Sequence, residues 1–335
     1  MGGSPPPRPA IPFRFRWRRE DQPGPTWRAL FERTWASYSK WFLKDGDEQR
    51  PDLATCREQL DRHMPELVPI WESLVEVAGS SDQAARMLSL YCPTPYLTGC
   101  SQAVWSRGEP FLVRNYDYHP GACEGMFLHS RWSGTSTLVA SDCLWGVLDG
   151  VNEHGLVVSL AFGGRKQVGP GFGIPLILRY VLETSRTTSQ AIAVLERVPS
   201  HMSYNVSLLD ASGDRAVAVV APDRSTLILR EDVATNHQRQ VEWSRYDQFT
   251  RSAERESHLG KLLADAKLSG EDFVERFLRP PLYNTRYERA FGTLYTAVYR
   301  PLGCSAQYLW PTHSVRQSIE AFEPSDLVIR LGNRD

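Results

Sequence analysis

The sequence predicts an α+β fold with sheets layered against helices, and three observations predict it. Apolar residues recur at helical spacing through most of the first 90 residues, and beyond Cys100 they change to short strand-like runs. Helical spacing returns only in two later blocks. The resulting order of helices, strands, two helices, strands, helices and strands does not repeat a βαβ unit. At 335 residues the chain suits one large domain or two ordinary ones, and its composition forces no split.

Residues 1–25, rich in Pro, Gly and Arg, read as a flexible extended arm. In 27–42 the large residues Trp27, Leu30, Phe31, Trp35, Tyr38, Trp41 and Phe42 fall at helical spacings and mark a broad aromatic face. A second helix starts at Asp52, and 68–90 reads as one or two more, broken near Gly79. The segments 102–105, 111–114, 136–140, 145–148 and 156–162 are β-prone and separated by turn residues, which gives an antiparallel meander. GGRKQVGPGFG, residues 163–173, lacks the order of a phosphate-binding loop and reads as a plain loop or a flap over a pocket. Helices follow at 174–183 and 189–198, strands at 203–209, 216–220 and 226–229, and helices at 251–266 and 269–277. The chain ends with a candidate hairpin, 292–299 with 306–309, and a short apolar run at 327–329.

With 38 Lys+Arg against 39 Asp+Glu, the charge balance points away from nucleic acid and anionic membranes and toward a small-molecule partner. Six cysteines, at 56, 92, 100, 123, 143 and 304, form no CxxC pair, which argues against a zinc knuckle or a disulfide scaffold. Neither a secretory h-region nor a membrane span is visible, so the expectation is a soluble cytoplasmic protein. Assembly into a homo-oligomer is compatible with such layered folds.

Chemistry centres on Cys100, which follows Gly99 at the start of a β-prone run, with Arg114 and Asp117 beyond the next run. A buried structural cysteine is the plain alternative. A catalytic thiol needs activation, because few thiols ionise at neutral pH. One source is a distant histidine, of which His237 in ATNHQ is the best placed. The other is the α-amine that cleavage of the Gly99–Cys100 bond would create, with an ordinary pKa near 8 and the ability to take the thiol proton and return it to a leaving amine.

Six segments in order, TGCSQAVW (98–105), LVRNYDY (112–118), GVNEHGLVVSLAF (150–162), YNVSLLDASG (204–213), ATNH (234–237) and GTLYTAVYRP (292–301), resemble the acyl-coenzyme A:6-aminopenicillanic acid acyltransferase group of N-terminal-nucleophile hydrolases, relatives of choloylglycine hydrolase and acid ceramidase. The resemblance implies a four-layer αββα sandwich with two central antiparallel sheets. It also implies a helical propeptide or α-chain at 26–99 and a core or β-chain at 100–335, the two forming one domain. Cys100 lands on the nucleophile created by cleavage after Gly99, Arg114 and Asp117 on its positioning pair, and Asn236 on a donor to the oxyanion. Asn205, His237, Asn152 and Glu153 are further candidates for an oxyanion or supporting role. Ala161 and Phe162 stand where the bile-salt branch carries an asparagine, which argues against a bile-salt substrate.

The implied activity is hydrolysis or acyl transfer at linear amide bonds through a Cys100 thioester, with no cofactor or metal. Coenzyme A fits as a co-substrate by resemblance only, since no phosphate-binding motif supports it. The alternatives are an uncleaved hydrolase with a Cys100–His237 dyad and a non-catalytic small-molecule binding protein of the same fold.

Overall fold

Strands covered on both faces bury nearly every residue, and the central segments of this chain do so even at polar positions. The computed structural model describes residues 10–289 and 291–332. The chain opens with β1 (Ile11–Glu20) and four helices, α1 (Pro25–Phe42), α2 (Leu53–His63), α3 (Val68–Val77) and α4 (Asp82–Leu88). Next come β2 (Gly99–Trp105), β3 (Phe111–Tyr118), β4 (Met126–Ser130), β5 (Thr137–Asp142), β6 (Gly146–Asn152) and β7 (Val157–Phe162). After α5 (Ile174–Thr184) and α6 (Thr188–Arg197) lie β8 (Tyr204–Leu209), β9 (Arg215–Ala221), β10 (Arg224–Leu229) and β11 (Val233–Ala234). Then follow α7 (Ser244–Thr250), α8 (Ser252–Ala264), α9 (Gly270–Arg276), β12 (Thr285–Arg286), β13 (Phe291–Arg300), β14 (Ser305–Trp310), β15 (His313–Ser318) and β16 (Ser325–Leu331).

Two sheets form. One runs β10-β9-β8-β7-β6-β5-β4-β1-β16, and the other runs β11-β2-β3-β13-β14-β15 with β12 added on β13. All pairings are antiparallel except β1 with β4. Their inner faces meet over an aromatic core that includes Phe15, Trp17, Phe127, Tyr295, Tyr308 and Trp310. On the far side of the first sheet α5 lies against β6, where a side chain at Gly146 would come within 2.4 Å of Pro175. On the far side of the second, Trp105, Phe111 and Val113 pack against Leu259 of α8 and Phe273 of α9. The fold is therefore a four-layer αββα sandwich. No helix among the described residues is long and apolar enough to cross a membrane.

Most elements agree with the sequence pattern, including the Asp52 N-cap, whose carboxylate accepts from Thr55 N at 2.7 Å. The N-terminal arm is the main correction. Residues 1–9 lie outside the described residues, but 11–20 form β1, held inside the nine-stranded sheet between β4 and β16. IPFRFRWRRE alternates, with Phe15 and Trp17 fully buried and Arg14 and Arg18 pairing with Asp326. The proline-rich start obscured this period-two pattern. The loop 163–173 is also no free flap, since bridges join Val168 to Met202 and Phe172 to both Ser200 and Tyr91.

Trp17 stacks on Phe127 at 5.0 Å between ring centroids, with no solvent exposure. Trp17→Ala is expected to cost about 3–5 kcal/mol of stability, read as a lower urea midpoint. An unchanged midpoint would show that β1 is dispensable.

Candidate active site

Alternation along β2 and β3 sorts the predicted residues onto two faces. Cys100 lies opposite Tyr116, and Gly99 opposite Asp117. The Cys100 thiol points into the space between the sheets and is fully buried. There Arg114 Nη2 donates to Cys100 Sγ at 3.1 Å. Its other terminal nitrogen, Nη1, donates to the Asp149 carboxylate, which reaches across from β6 of the facing sheet. Tyr295 OH donates to Asp149 Oδ2 at 2.7 Å, and Tyr299 OH donates to Oδ1. Burial pushes the Cys100 thiol up, while Arg114 pulls the other way by charge and hydrogen bond. The guanidinium is thus aimed at the sulfur by a carboxylate that is itself fixed by two phenols.

Gly99 is required by close approach. A Cβ there would meet the Phe291 ring at 2.2 Å and Asp117 Cβ at 3.1 Å. Backbone on both sides of the Gly99–Cys100 bond is held by polar groups. Cys100 N donates to Asn236 Oδ1 at 2.8 Å, and Asn236 Nδ2 donates to Phe162 O at 3.1 Å and Thr98 O at 3.3 Å. Tyr246 OH also donates to Thr98 O. Arg255 of α8 donates to Cys100 O, to Ser101 Oγ at 2.6 Å and to Asn236 Oδ1 at 2.9 Å.

Asp117 points to the outer face. Its Oδ1 accepts from Thr293 Oγ1 at 2.6 Å, and its buried Oδ2 has no hydrogen-bond partner. Burial holds its carboxyl above the usual range, against the pull of Arg255, Thr293 and Arg114. The expected Arg114–Asp117 pair does not form, because residues three apart on a strand face opposite ways. Arg114 pairs with Asp149 instead.

Other sequence-predicted residues separate as well. His237 does not meet the thiol: Nδ1 lies 2.8 Å from Ser252 Oγ, and Nε2 lies 3.1 Å from Glu256 Oε2, both on α8. That geometry contradicts a Cys100–His237 dyad. Asn205 braces the backbone next to Asn236, donating to Thr235 O at 3.0 Å and His237 O at 2.7 Å. Asn152 ties the β6–β7 turn to the end of α5 through Leu182 O at 2.9 Å and Ser185 O at 2.7 Å. Glu153 is exposed in that turn, so neither residue supports the thiol.

Asp149, Arg255 and Tyr246 belong to the site and were not singled out from sequence. Asp149 had a signal: a carboxylate inside the apolar run WGVLDGV must find a cation when buried. Arg255 and Tyr246 had none, since each sits among polar helix residues.

The acyl-coenzyme A:6-aminopenicillanic acid acyl-transferase family model matches residues 105–314, well over half of the chain. The chain belongs to this family. The match supports amide-hydrolase or acyltransferase chemistry, although it begins five residues after Cys100. No curated protein matches the chain in sequence. Among solved structures, penicillin V acylase from Agrobacterium tumefaciens is similar at 16% identity and TM-score 0.47, covering 68% of this chain and 91% of that one. The N-acylethanolamine-hydrolyzing acid amidase ortholog of Caenorhabditis elegans gives 17% and 0.49, covering 69% and 99%. A mutant conjugated bile acid hydrolase from Clostridium perfringens gives 12% and 0.45, covering 68% and 96%.

Two substitutions test the electrostatics. Asp149→Asn removes the carboxylate from a fully buried pair and is expected to cost about 3–5 kcal/mol, measured by urea unfolding. Asp117→Asn keeps an acceptor for Thr293 and removes a carboxylate whose native pKa is raised. A raised carboxyl pKa means that the native state holds its proton more tightly, so stability falls as pH rises from the unfolded value through the native one. In the uncut Cys100→Ala background the Asn variant is therefore expected to be the more stable at neutral pH by about 1–3 kcal/mol, with the gap closing toward pH 4. A gap that stays constant with pH would refute the assignment.

Proposed function

We propose that this protein cuts its own Gly99–Cys100 bond and then uses Cys100 as an N-terminal nucleophile on linear amides. The single observation that carries the reading is the buried Cys100 thiol, with Arg114 3.1 Å from its sulfur, on the residue whose own preceding peptide bond is flanked on both sides by held backbone. Thiolate attack on the Gly99 carbonyl forms a thioester and breaks the peptide bond, with the Cys100 nitrogen taking up a proton. Water then releases the Gly99 carboxylate and leaves a free thiol beside a free α-amine.

The unpartnered Asp117 oxygen supports this sequence. Asp117 is the cross-strand partner of Gly99, the residue before the nitrogen that becomes an ammonium, so the cost of burying its unpartnered oxygen in the intact chain is relieved once that charge appears. In turnover the α-amine takes the thiol proton, and Arg114 favours the thiolate. Sulfur attacks the substrate carbonyl, the amine leaves with the proton, and water or an acceptor amine discharges the thioester. Asn236 Nδ2 gives up Thr98 O when residue 99 departs, which frees a donor for the oxyanion. No cofactor enters these steps, and coenzyme A would act only as an acyl donor.

Intact-mass measurement of the purified chain is expected to find a fragment that begins at Cys100, and Cys100→Ala is expected to abolish both the cut and amide turnover. An uncut chain after prolonged incubation would overturn the reading. In processed enzyme, Asn236→Ala is expected to lower kcat by about 10²–10³, while His237→Ala retains most of its activity. Released amine from a panel of N-acyl amines and N-acyl amino acids provides the readout.

A further inference from the structure

A cavity of about 320 Å³ opens between α1 and the segment leading into β4, with Tyr38, Trp41, Tyr96, Tyr118, Glu124 and Asp142 in its wall. Glu124 and Asp142 are 5% and 4% exposed. Tyr38 OH donates to Glu124 Oε1 at 2.6 Å and lies 3.3 Å from Asp142 Oδ1, so one phenol serves both carboxylates. Leu144 N at 2.6 Å and Ser141 Oγ at 3.3 Å complete the shell of Glu124. Among the described residues, no Lys, Arg or His nitrogen pairs with either carboxylate. Arg33 at the mouth donates only to the backbone oxygen of Glu124, at 3.5 Å.

Two buried carboxylates without a cation are costly unless they keep a proton or receive a positive charge. Burial, and next the charge of Glu124, push Asp142 up to about 8, so the pair retains a proton at neutral pH that a bound cation would displace. A second observation lies beside the same space. Tyr116, whose ring packs against Tyr118 of the cavity wall, is fully buried, and its hydroxyl has no hydrogen-bond partner. The Tyr96 hydroxyl is likewise buried and unpartnered.

The cavity wall adjoins the strand pair that carries the thiol. Tyr116 is the cross-strand neighbour of Cys100 and lies 5.7 Å, ring to ring, from Tyr118. Tyr96 stands four residues before Cys100, so the segment that the proposed cut would free runs from the cavity wall to the sulfur. Its span is at most about 13 Å at ~3.3 Å per residue.

We propose that this cavity is a subsite for an organic cation, and that the preferred acyl group carries an ammonium at the end away from its carbonyl. The assignment of the acyl group rests on the thiol reading above. Aromatic faces and a carboxylate pair are the two surfaces that hold an alkylammonium in a cavity. The departing segment leaves a path along which a flexible chain joins that cation to the thioester.

Two measurements test the proposal separately from the thiol reading. By saturation-transfer NMR, tetramethylammonium is expected to bind the uncut Cys100→Ala chain about ten-fold tighter than tert-butanol, and Glu124→Gln/Asp142→Asn is expected to remove that preference. The comparison of two probes on a single protein does not depend on how the double variant folds. Processed wild-type protein is expected to hydrolyse 6-aminohexanoyl-p-nitroanilide with a kcat/KM about ten-fold above that of hexanoyl-p-nitroanilide. Cation-selective binding without turnover of either anilide supports the subsite and overturns the thiol reading. Turnover of the hexanoyl compound, with no cation preference in either measurement, overturns the subsite and leaves the thiol reading standing.

Discussion

Arg114 carries its charge in the space between two sheets, where a guanidinium without partners would be prohibitively expensive. Asp149 from the facing sheet makes its burial possible, and Tyr295 and Tyr299 fix that carboxylate in turn. The contact therefore links β3, β6 and β13 as well as turning the guanidinium toward sulfur. The face-to-face distance of the sheets and the polarity around the thiol are set by the same group. A lysine would supply one point charge, whereas the planar fork serves carboxylate and thiol together.

The alternation of β2 and β3 divides the site in two. Cys100, Gln102, Arg114 and Tyr116 share the inner face, where the sulfur, its cation and the cavity lie. Ser101, Asn115 and Asp117 share the outer face, where Arg255 donates to Ser101 Oγ and Asn115 Nδ2 donates to the backbone oxygens of Phe277 and Leu282 after α9. Cys100, near the start of β2, uses both at once: its side chain looks inward, and its main-chain nitrogen donates to Asn236 Oδ1. At Gly99, Phe291 and Asp117 occupy the volume that a side chain would need.

Local patterns in the sequence carried most of the fold. The aromatic spacing of Trp27 to Phe42, the Asp52 cap and the β-prone runs after Cys100 each reappear as elements close to their expected bounds. β1 was legible in principle from Phe13, Phe15 and Trp17, but proline and arginine dominated the reading of that stretch. For the site, single residues were legible and their pairing was not. Arg114 and Asp117 are close in sequence, yet strand parity separates them, while Asp149 is 35 residues away and becomes the partner only when two sheets stack. His237 failed for the same reason: its ring is claimed by Ser252 and Glu256, which no local pattern places beside it.

The N-terminal segment has a structural consequence for any mature form. β1 forms seven register pairs with β16 and five with β4, and Trp27 Nε1 donates to Leu144 O at 3.0 Å, so residues before Cys100 build part of the core. A cut at residue 99 would sever the chain without removing β1, because release would open the nine-stranded sheet and expose Phe15 and Trp17 to water. Between α4 and β2 the chain is bridged at Tyr91 and held at Thr98, and the residues between are more exposed, Leu97 to 42%. Stability of the sheet and access to the thiol are thus assigned to different parts of the same N-terminal segment. The strand and helices stay in the core, whatever becomes of the bond at residue 99.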